Sequence, residues 1–482
     1  MTRQPLILLV CAAFALRALS LIEATGLWSD ELYTVGKSFQ PSLAAMLAML
    51  RQDTHPPLYY GLLWGWGQLL PPSGLTLRLF SWLAYLAGGV LITAQSRALA
   101  RDQAVGGARP SVAMALAALL AFCSPYPVRF AIEGKGYALL VLLVALAWWW
   151  RRAGRPGLYG LAVALAACTH YYGLFLFAAA AVWDGWQRRW RLAWAAALAL
   201  LPALGWIALA SAYLMRSGTG AWIGRPDFAL LEDTLARGLG LWPLPKLALL
   251  GLAFWAIRRW GVAHDGAGQR WQQPALADRS GLMPSLWMVL AVVLVSFWKP
   301  LAFSRYFVVL IPALIPWLAV QVAAWRLNRR GAVVGAAALV GLLLSWWWHS
   351  FQELDPAVNG HGTRESDDFQ LLSQRLGDAP DRFSRRERLL NLSDRIEVAA
   401  GRMPAPSQPW RDAASLNVLL ERDNRPRELW LADSGNRAGV APRLKPLKRR
   451  AEAAGYHCER LELASPYAQA LRCTLDPGSA QP

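Results

Sequence analysis

Acidic residues are scarce in this sequence of 482 residues, which has 31 Asp and Glu against 49 Lys and Arg, with six His. Charged residues make up 17% of the chain, whereas soluble proteins usually contain about 25%. There are five Cys, and the sequence has no CxxC motif and no His/Cys cluster. These shortages argue against an ordinary soluble enzyme of this length, and they give no sign of a structural metal site.

Apolar residues take the place of the missing charge. Of all residues, 55% are hydrophobic and 26 are Trp. They gather in runs such as 6–22, 138–150 and 333–348, whose lengths approach the roughly 20 residues that cross a bilayer. Buried helices of a soluble protein are the alternative, but so many runs flanked by Arg favour membrane spans. We therefore predict an α-helical polytopic membrane protein with about eleven transmembrane helices.

The Arg clusters give the orientation of the predicted spans. Pairs such as Arg151-Arg152 and Arg329-Arg330 fall in alternate connections, and positively charged loops stay in the cytoplasm. This parity places the amino terminus in the cytoplasm, and residues 23–75 and everything after 348 outside. Because these loops explain the net charge of +18, nucleic-acid binding is not indicated. The predicted spans are 5–22, 76–96, 111–124, 136–150, 157–169, 172–186, 192–214, 239–257, 284–298, 305–325 and 331–348.

One further apolar segment, 55–70, begins with Pro56-Pro57 and stops at Pro71-Pro72. Counting it as a span would reverse the later loops and place the Arg clusters outside. We therefore predict an amphipathic helix in the membrane interface, with Trp64 and Trp66 at the level of the headgroups.

The composition changes after the last span, so we divide the chain into a transmembrane domain, 1–348, and a soluble domain, 349–482. Strands are predicted at 428–432 and 461–464, and a loosely ordered segment at 380–409, which indicates a small mixed α/β domain. Two of the five cysteines, Cys458 and Cys473, lie in this domain. A disulfide between them is one of two open outcomes, since sequence alone does not fix their separation.

Ionisable residues on the predicted outer face are the candidates for chemistry. Ser29 or Asp30 can start a helix, with Asp30 and Glu31 favoured in its first turn by the helix dipole. A carboxylate at this place can equally take a proton from an acceptor. His55 precedes a Pro-Pro pair, where it can close a turn, contact a phosphate or bind a metal.

Three more segments place ionisable residues on that face. Glu133 and Lys135 occupy the turn before the fourth span, His170 lies at a hairpin tip, and Lys299 and Arg305 flank the last outer turn. There are two alternatives to a functional role. The charges can simply flank the ends of the spans, or the long side chains can extend along apolar surface to the membrane interface. Cations beside the membrane suit a phosphate-linked lipid donor, whose acceptor arrives from outside.

These motifs resemble those of the GT-C membrane glycosyltransferases, specifically the family 39-like group of protein O-mannosyltransferases and lipid A aminoarabinose transferases. The resemblance covers about residues 1–345 and leaves out the tail. It is carried by WSDE at 28–31, HPPLYY at 55–60, ExKxY at 133–137, THYYG at 169–173, and SRY at 304–306 followed by Pro312.

The resemblance implies a hexosyl- or pentosyltransferase at the periplasmic face of a bacterial inner membrane. It would move a sugar, with inversion, from a polyprenyl-phosphate donor to an envelope acceptor of unknown identity, whether lipid, glycan or protein. Asp30 is then expected to be the catalytic base, with Glu31 beside it. Lys135, Lys299 and Arg305 are expected to bind the donor phosphate.

The same resemblance extends the site to His55, Glu133, Tyr137, His170 and Tyr306. Some members of the family hold a metal near the site. No cofactor is certain for this chain, and a divalent metal ion is an open alternative with His55 and His170 as its candidate ligands.

Two other functions compete with sugar transfer. A transporter or flippase of lipid-linked intermediates would need ionisable groups near the middle of spans, and often shows repeated halves. Apart from Arg17, the ionisable residues gather at span ends, and no repeat is visible. The second alternative is a catalytically inactive scaffold whose tail binds a partner, and the presence of both acids and Arg305 argues against it.

Overall fold

The computed structural model describes residues 4–102, 107–215, 222–261, 273–352 and 367–476. Most of these residues are helical, and a π-helical turn, Ile257–Gly261, and a 3-10 helix, Ser304–Leu310, interrupt the α-helices. The α-helices up to the last predicted span are α1 (Gln4–Ser20), α2 (Ser29–Ser38), α3 (Leu43–Leu50), α4 (Leu58–Trp66), α5 (Gly74–Arg101), α6 (Pro110–Cys123), α7 (Pro125–Ala131), α8 (Tyr137–Arg152), α9 (Pro156–Thr169), α10 (Tyr171–Trp186), α11 (Trp190–Ala199), α12 (Leu201–Leu214), α13 (Phe228–Leu239), α14 (Pro243–Ala256), α15 (Gln273–Ser280), α16 (Leu282–Val295), α17 (Ile311–Ala323) and α18 (Arg329–Gln352).

The C-terminal residues add four shorter helices and a small sheet. The helices are α19 (Phe369–Leu376), α20 (Glu387–Ala399), α21 (Ala413–Leu420) and α22 (Arg437–Ala453). The strands are β1 (Arg382–Phe383), β2 (Glu428–Ser434), β3 (Tyr456–Leu461) and β4 (Ala468–Leu475).

Every predicted span coincides with a helix, and the prediction of a polytopic helical protein is confirmed. Among the described residues, four helices are long and apolar enough to cross a membrane, or up to seven if each bent pair of helices is one span. The helices α8, α9 and α10 have 16, 14 and 16 residues, short of the roughly 20 of a full span. The count of eleven therefore stays a prediction.

The chain forms two compact units. The first consists of Met1–Ser20, Pro41–Leu62 and Arg78–Phe351, and the second of Leu21–Gln40, Leu63–Leu77 and Gln352–Pro482. The second unit thus combines two segments of the first predicted loop with the C-terminal residues.

In the first unit, a cluster of buried ion pairs ties α8 to α10 and α15. Arg151 donates from Nε and Nη2 to the two carboxylate oxygens of Asp184, at 2.9 and 2.7 Å. Asp278 accepts from Arg151 Nη2 at 3.0 Å and from the two Nη atoms of Arg189 at 2.8 and 2.7 Å. The sequence assigns Arg151 and Arg189 to loops that set topology, and the structure shows that they also hold helices together.

Removal of the Asp184 carboxylate tests this cluster. The variant Asp184→Asn should lower the free energy of unfolding by about 3 kcal/mol, because it leaves a buried guanidinium short of its partner. The control Glu452→Gln removes an exposed pair to Lys448, 3.4 Å long, and should cost less than about 0.5 kcal/mol. Denaturant titration of the detergent-solubilised chain measures both. Equal destabilisation by the two changes would contradict a structural role for the cluster.

In the second unit, helix α2 is anchored by the C-terminal residues. The backbone N–H of Ser29 donates to Asp367 Oδ2 at 3.1 Å, while the side chain of the N-cap residue Trp28 does not cap the helix. A helix with Asp30 and Glu31 in its first turn is confirmed, but the prediction of Ser29 or Asp30 as its N-cap is wrong, because Trp28 takes that position. The carboxylate that accepts the Ser29 N–H comes from a residue 338 positions away. Gly36 faces α20 closely, since a Cβ there would lie 3.0 Å from Leu392 Cδ1.

The indoles of the predicted interfacial helix bond to the protein backbone. Trp64 Nε1 donates to Gln40 O at 3.0 Å, and Trp66 Nε1 donates to Thr76 O at 2.9 Å. The helix that carries them, α4, has nine residues, far fewer than a span needs. The prediction that this segment is not a span agrees with its length.

The sheet has the strand order β1-β2-β4-β3, with β1 parallel to β2 and the other pairs antiparallel. The strand predicted at 428–432 is confirmed as part of β2. The strand predicted at 461–464 is wrong, because β3 ends at Leu461, and β4 was not predicted at all. The alternation of buried and exposed residues in β3 covers only Tyr456 to Glu459 and ends at Arg460, which is exposed, so the pattern was too short to recognise.

The structure corrects one prediction for the C-terminal residues and decides another that the sequence left open. Residues 380–409 were predicted to be loosely ordered, but they contain β1 and the helix α20. That helix buries Leu389, Leu390 and Ile396, and the charged residues between these positions hid the apolar face. Cys458 and Cys473 are partners in the register of β3 and β4, and a disulfide joins them.

Candidate active site

A tight turn between α7 and α8 holds two buried charges, Glu133 and Lys135, which are 2% and 5% exposed. The Lys135 N–H donates to Glu133 O at 2.7 Å, and Ser81 Oγ donates to Lys135 O at 3.4 Å. Gly136 lets the ring of Tyr59 pack against the turn, since a Cβ there would lie 3.2 Å from Tyr59 Cγ. Packing therefore holds the turn in place.

The two charges differ in their partners. Glu133 Oε2 lies 3.9 Å from Arg129 Nε, one helical turn earlier in the chain. The Lys135 ammonium has no hydrogen bond or ion pair with any described residue, although its side chain is almost fully buried. Burying an ammonium without an anion carries a large free-energy penalty. An anion from outside the chain would remove that penalty.

His170 joins α9 to α10 as a neutral imidazole. Its Nδ1 accepts the backbone N–H of Tyr172 at 3.1 Å, which caps α10. Burial lowers the pKa of His170 to about 3, with contributions from the positive charges of His55 and Lys135. Since Nδ1 accepts a hydrogen bond, the single ring proton lies on Nε2.

Three tyrosine rings of the first unit meet at His170. The ring centroid of Tyr306 lies 4.9 Å from that of His170 and 5.1 Å from that of Tyr172. Tyr137 lies 5.7 Å from His170 and 6.3 Å from Tyr306. The structure thus brings together three of the predicted site residues, along with Tyr172, which the sequence analysis missed.

His55 is oriented by a carboxylate that the sequence analysis also missed. Its Nδ1 lies 2.6 Å from Asp53 Oδ1, and the two side chains are 27% and 17% exposed. His55 lowers the pKa of His170 electrostatically, so the loop before α4 belongs to the same site. The signal for Asp53 was its position two residues before His55 in a predicted outer loop.

The last outer turn carries the two remaining predicted cations. Ser296 Oγ accepts two backbone N–H groups of this turn, at 3.2 and 2.8 Å, which fixes its path. The Arg305 guanidinium lies over the ring of Phe303, 4.9 Å from its centroid. Lys299 is exposed. A fixed backbone thus presents one stacked and one exposed cation.

Residues that the sequence analysis missed hold this turn against other helices. Tyr126 Oη donates to Ser304 O, and Arg237 Nε donates to Ser304 Oγ at 2.8 Å. Tyr172 Oη donates to Leu301 O at 2.8 Å. Arg237 had one signal in the sequence, as a cation in the last turn of the helix α13, between two predicted spans.

The two acids predicted to be catalytic belong to the second unit, and the other predicted site residues belong to the first. Asp30 and Glu31 lie in the first turn of α2. Glu31 is fully buried, whereas Asp30 is partly exposed. Thr34 Oγ1 donates to the Asp30 carbonyl oxygen at 3.0 Å, so the Asp30 backbone is held by its own helix.

The donors of the site do not fit a divalent metal. In the described ranges, no group of three or more His, Cys, Asp or Glu could hold a metal ion. A metal-bound histidine donates the proton of its other ring nitrogen, whereas Nδ1 of His170 accepts a backbone N–H. The Nδ1 of His55 faces Asp53 Oδ1 at 2.6 Å, which orients its Nε2 as a candidate ligand, but one histidine alone does not make a metal site. We derive no step that involves a metal.

This architecture is the GT-C fold of membrane glycosyltransferases, and the chain is an integral membrane protein. Two solved structures that it resembles are crystal structures of ArnT from Cupriavidus metallidurans, in the apo state with a TM-score of 0.59 and bound to undecaprenyl phosphate with a TM-score of 0.57. Each match covers 100% of both chains at 14% identity. No protein-family model and no curated protein sequence matches. The fold predicted from the motifs is confirmed.

The pKa of His170 predicts an acid-sensitive contribution to stability. In the unfolded chain, histidine has a pKa of 6.5 and is protonated below that pH. In the native state, His170 stays unprotonated down to about pH 3. The contribution is complete above about pH 6.5 and is lost as the pH falls through this window. The variant His170→Asn keeps a capping acceptor but loses the titrating group. The slope of the free energy of unfolding against pH should therefore fall by up to about 1.4 kcal/mol per pH unit.

Unfolding midpoints between about pH 7 and about pH 4.5 measure this slope, since each pH unit of differential protonation has a defined free energy. The control is His457→Asn, whose side chain is 67% exposed and whose replacement should leave the slope unchanged. Equal slopes in the native chain and His170→Asn would contradict the neutral, buried imidazole.

Proposed function

We propose that the protein is a glycosyltransferase that moves a hexose or pentose from a polyprenyl-phosphate donor to an envelope acceptor. The observation that carries the proposal is the buried Lys135 ammonium, which has no anionic partner among the described residues. A phosphate-linked donor supplies that anion at the membrane. The fold supports this assignment, because one of the ArnT structures is bound to undecaprenyl phosphate.

The cations of the first unit are proposed to bind and stabilise the phosphate. Lys135 provides a buried charge, while Arg305 and Lys299 provide a stacked guanidinium and an exposed ammonium on the last outer turn. The Nε2–H of His170 adds a neutral donor. Negative charge grows on the phosphate as its bond to the sugar breaks, and cations already in place lower the energy of that transition state.

Asp30 is proposed to be the base, with the buried Glu31 as its neighbour. Its carboxylate takes the proton of the acceptor hydroxyl or amine, whose oxygen or nitrogen then attacks the anomeric carbon. The bond from that carbon to the phosphate oxygen breaks, and its electron pair leaves with the polyprenyl phosphate. Attack opposite the leaving group inverts the configuration of the sugar.

An apolar groove of the first unit fits the polyprenyl chain of the donor. It has a volume of about 530 Å³ and lies between α10 and α16, where Phe175, Trp183 and Trp287 are among its lining residues. Leu301 also lines the groove, and its carbonyl accepts the hydrogen bond from Tyr172. A chain lying in it would therefore reach the aromatic residues around His170.

We also propose a topology with the amino terminus in the cytoplasm and the site on the periplasmic side of the inner membrane. The disulfide between Cys458 and Cys473 supports this placement of the second unit, since disulfides persist in the periplasm and are rare in the cytoplasm. The alternation of Arg-rich connections supports it independently.

Two variants separate the proposed base from the proposed phosphate contact. Asp30→Asn should lower turnover by about 10²–10⁴-fold, because general base catalysis is lost, while undecaprenyl phosphate still binds. Lys135→Met should weaken binding of undecaprenyl phosphate itself. The control Glu462→Gln makes the same chemical change as Asp30→Asn at an exposed acid and should be neutral.

The assay measures release of undecaprenyl phosphate by mass spectrometry. Undecaprenyl-phosphate hexoses and pentoses are incubated with each variant and with envelope extract from a strain that lacks the protein. Near-normal release by Asp30→Asn would contradict its role as base, and unchanged lipid binding by Lys135→Met would contradict the phosphate contact.

Filling the groove should discriminate between donors by chain length. Ala291 lines the groove and is exposed. Ala291→Trp should raise KM for an undecaprenyl donor by about tenfold, since about two methylenes of the chain lose their contacts. KM for a short farnesyl donor should not change. Leu198→Trp adds the same side chain on α11, where Leu198 is 59% exposed. An equal effect on both donors would refute the assignment.

A further inference from the structure

The helix that carries the proposed base, α2, takes its cap from a distant part of the chain. The first N–H groups of a helix need acceptors, which a side chain just before the helix often supplies. Three other helices of the second unit are capped in this way, α19 by Asp368, α21 by Asp412 and α22 by Asn436. In α2, the Ser29 N–H donates instead to Asp367 Oδ2 at 3.1 Å. The acceptor at the start of α2 therefore comes from the C-terminal residues.

Asp367 is itself held in place by several contacts. Its carboxylate is 5% exposed, and Oδ1 accepts from Arg386 Nη1 at 3.2 Å. The same Nη1 donates to Ser434 O at 2.9 Å, and the Asp368 N–H donates to Ser434 Oγ at 2.6 Å. The Arg386 guanidinium also lies over the ring of Phe369, 5.4 Å from its centroid. Charge-assisted bonds of this kind are strong and directional, so they fix the start of α2 against the end of β2.

Close packing fixes the chain on either side of Asp30. Before it, a Cβ at Gly26 would lie 2.9 Å from Gln370 Cβ, and after it, a Cβ at Gly36 would lie 3.0 Å from Leu392 Cδ1. Gln370 belongs to α19 and Leu392 to α20, which are both C-terminal helices. The Asp30 side chain stays partly exposed. The C-terminal residues thus hold the backbone of the proposed base and leave its carboxylate accessible.

The charges of the C-terminal residues also reach the face of α2 that carries Asp30. Tyr33 lies one turn after Asp30, on the same face of the helix. Partial burial raises the pKa of its hydroxyl as the largest effect, Arg386 lowers this pKa and Asp30 raises it, with smaller effects from Arg388 and Glu387. Since electrostatic interactions weaken with distance, Arg386 and Asp30 both lie near this hydroxyl. Arg386 is therefore close to the proposed base.

We propose that Asp367, held by Arg386, is a positioning residue for the proposed base. It keeps the first turn of α2, and with it the Asp30 carboxylate, where a proton can be taken from the acceptor. A base has to lie within hydrogen-bond reach of that proton, and a displacement of about 1 Å can cost about 10²-fold in rate. The inference rests on the proposed function, and it gives the C-terminal residues a part in catalysis.

Removal of the Asp367 carboxylate tests this role in the full chain, with release of undecaprenyl phosphate as the readout. Asp367→Ala should lower kcat by about 10²-fold. KM for the donor should stay within about twofold, because the proposed donor contacts belong to the first unit. Asp367→Asn keeps an oxygen that can accept the Ser29 N–H, and it should regain about tenfold of the lost rate.

Asp412→Ala is the matched control for a loss of stability. Asp412 Oδ1 accepts the Ser415 N–H at 2.8 Å and caps α21, so the same substitution removes a cap from another helix of the second unit. Both Asp→Ala variants should lower the midpoint of thermal unfolding by similar amounts. Only Asp367→Ala should lower kcat.

A double variant shows whether Asp367 acts through the base. In Asp30→Asn there is no carboxylate left to position, so the addition of Asp367→Ala should lower the residual kcat no further. A further fall as large as in the native chain would overturn the positioning role. The same conclusion would follow from native kcat in either Asp367 variant, from an equal fall in Asp412→Ala, or from no recovery in Asp367→Asn.

The Asp30→Asn variant alone separates this inference from the proposed function. Near-normal turnover in Asp30→Asn rejects the proposed base, and the positioning role with it. Impaired turnover in Asp30→Asn together with native turnover in Asp367→Ala rejects the positioning role and leaves the base assignment standing.

Discussion

A buried ammonium needs an anion, and this constraint at Lys135 organises the candidate active site. The turn that carries it is closed by a short backbone bond to Glu133 and by the ring of Tyr59, so the cation cannot easily move to solvent. Burial, with a contribution from nearby positive charge, lowers the pKa of His170 and keeps it neutral. A neutral imidazole donates a hydrogen bond without adding charge. A fixed cation beside a neutral donor is an arrangement that suits an anion, which is the basis of the proposed phosphate site.

The surroundings of Lys135 explain why the chemistry would take place at a membrane. Rings from Tyr137, Tyr172 and Tyr306 pack around His170. A groove lined by Trp and other apolar side chains includes Leu301, whose carbonyl accepts the Tyr172 hydroxyl. A ligand with a charged head and a long apolar tail satisfies both environments. The buried cluster around Arg151 and Asp184 does not favour a transporter, because its charges are paired with one another.

Sequence reasoning worked where the signal was local. Apolar runs located the membrane helices, and short motifs located Tyr137, His170 and Tyr306, which the fold then brings into contact. It failed where partners lie far apart in the chain. The carboxylate that bonds to Ser29 lies 338 residues away, and Arg237 reaches Ser304 across 67 residues. No local pattern records such pairs, and the mixing of charge and apolar residues also hid β4 and α20.

The central claim is that the chain holds a polyprenyl phosphate through Lys135, and native mass spectrometry of the protein extracted from its own membrane tests this most directly. The account predicts that a polyprenyl-phosphate species co-purifies with the native chain. It also predicts that this species is lost from Lys135→Met, while ordinary phospholipid adducts persist in both. A native chain without a polyprenyl adduct, or equal occupancy in Lys135→Met, would contradict it.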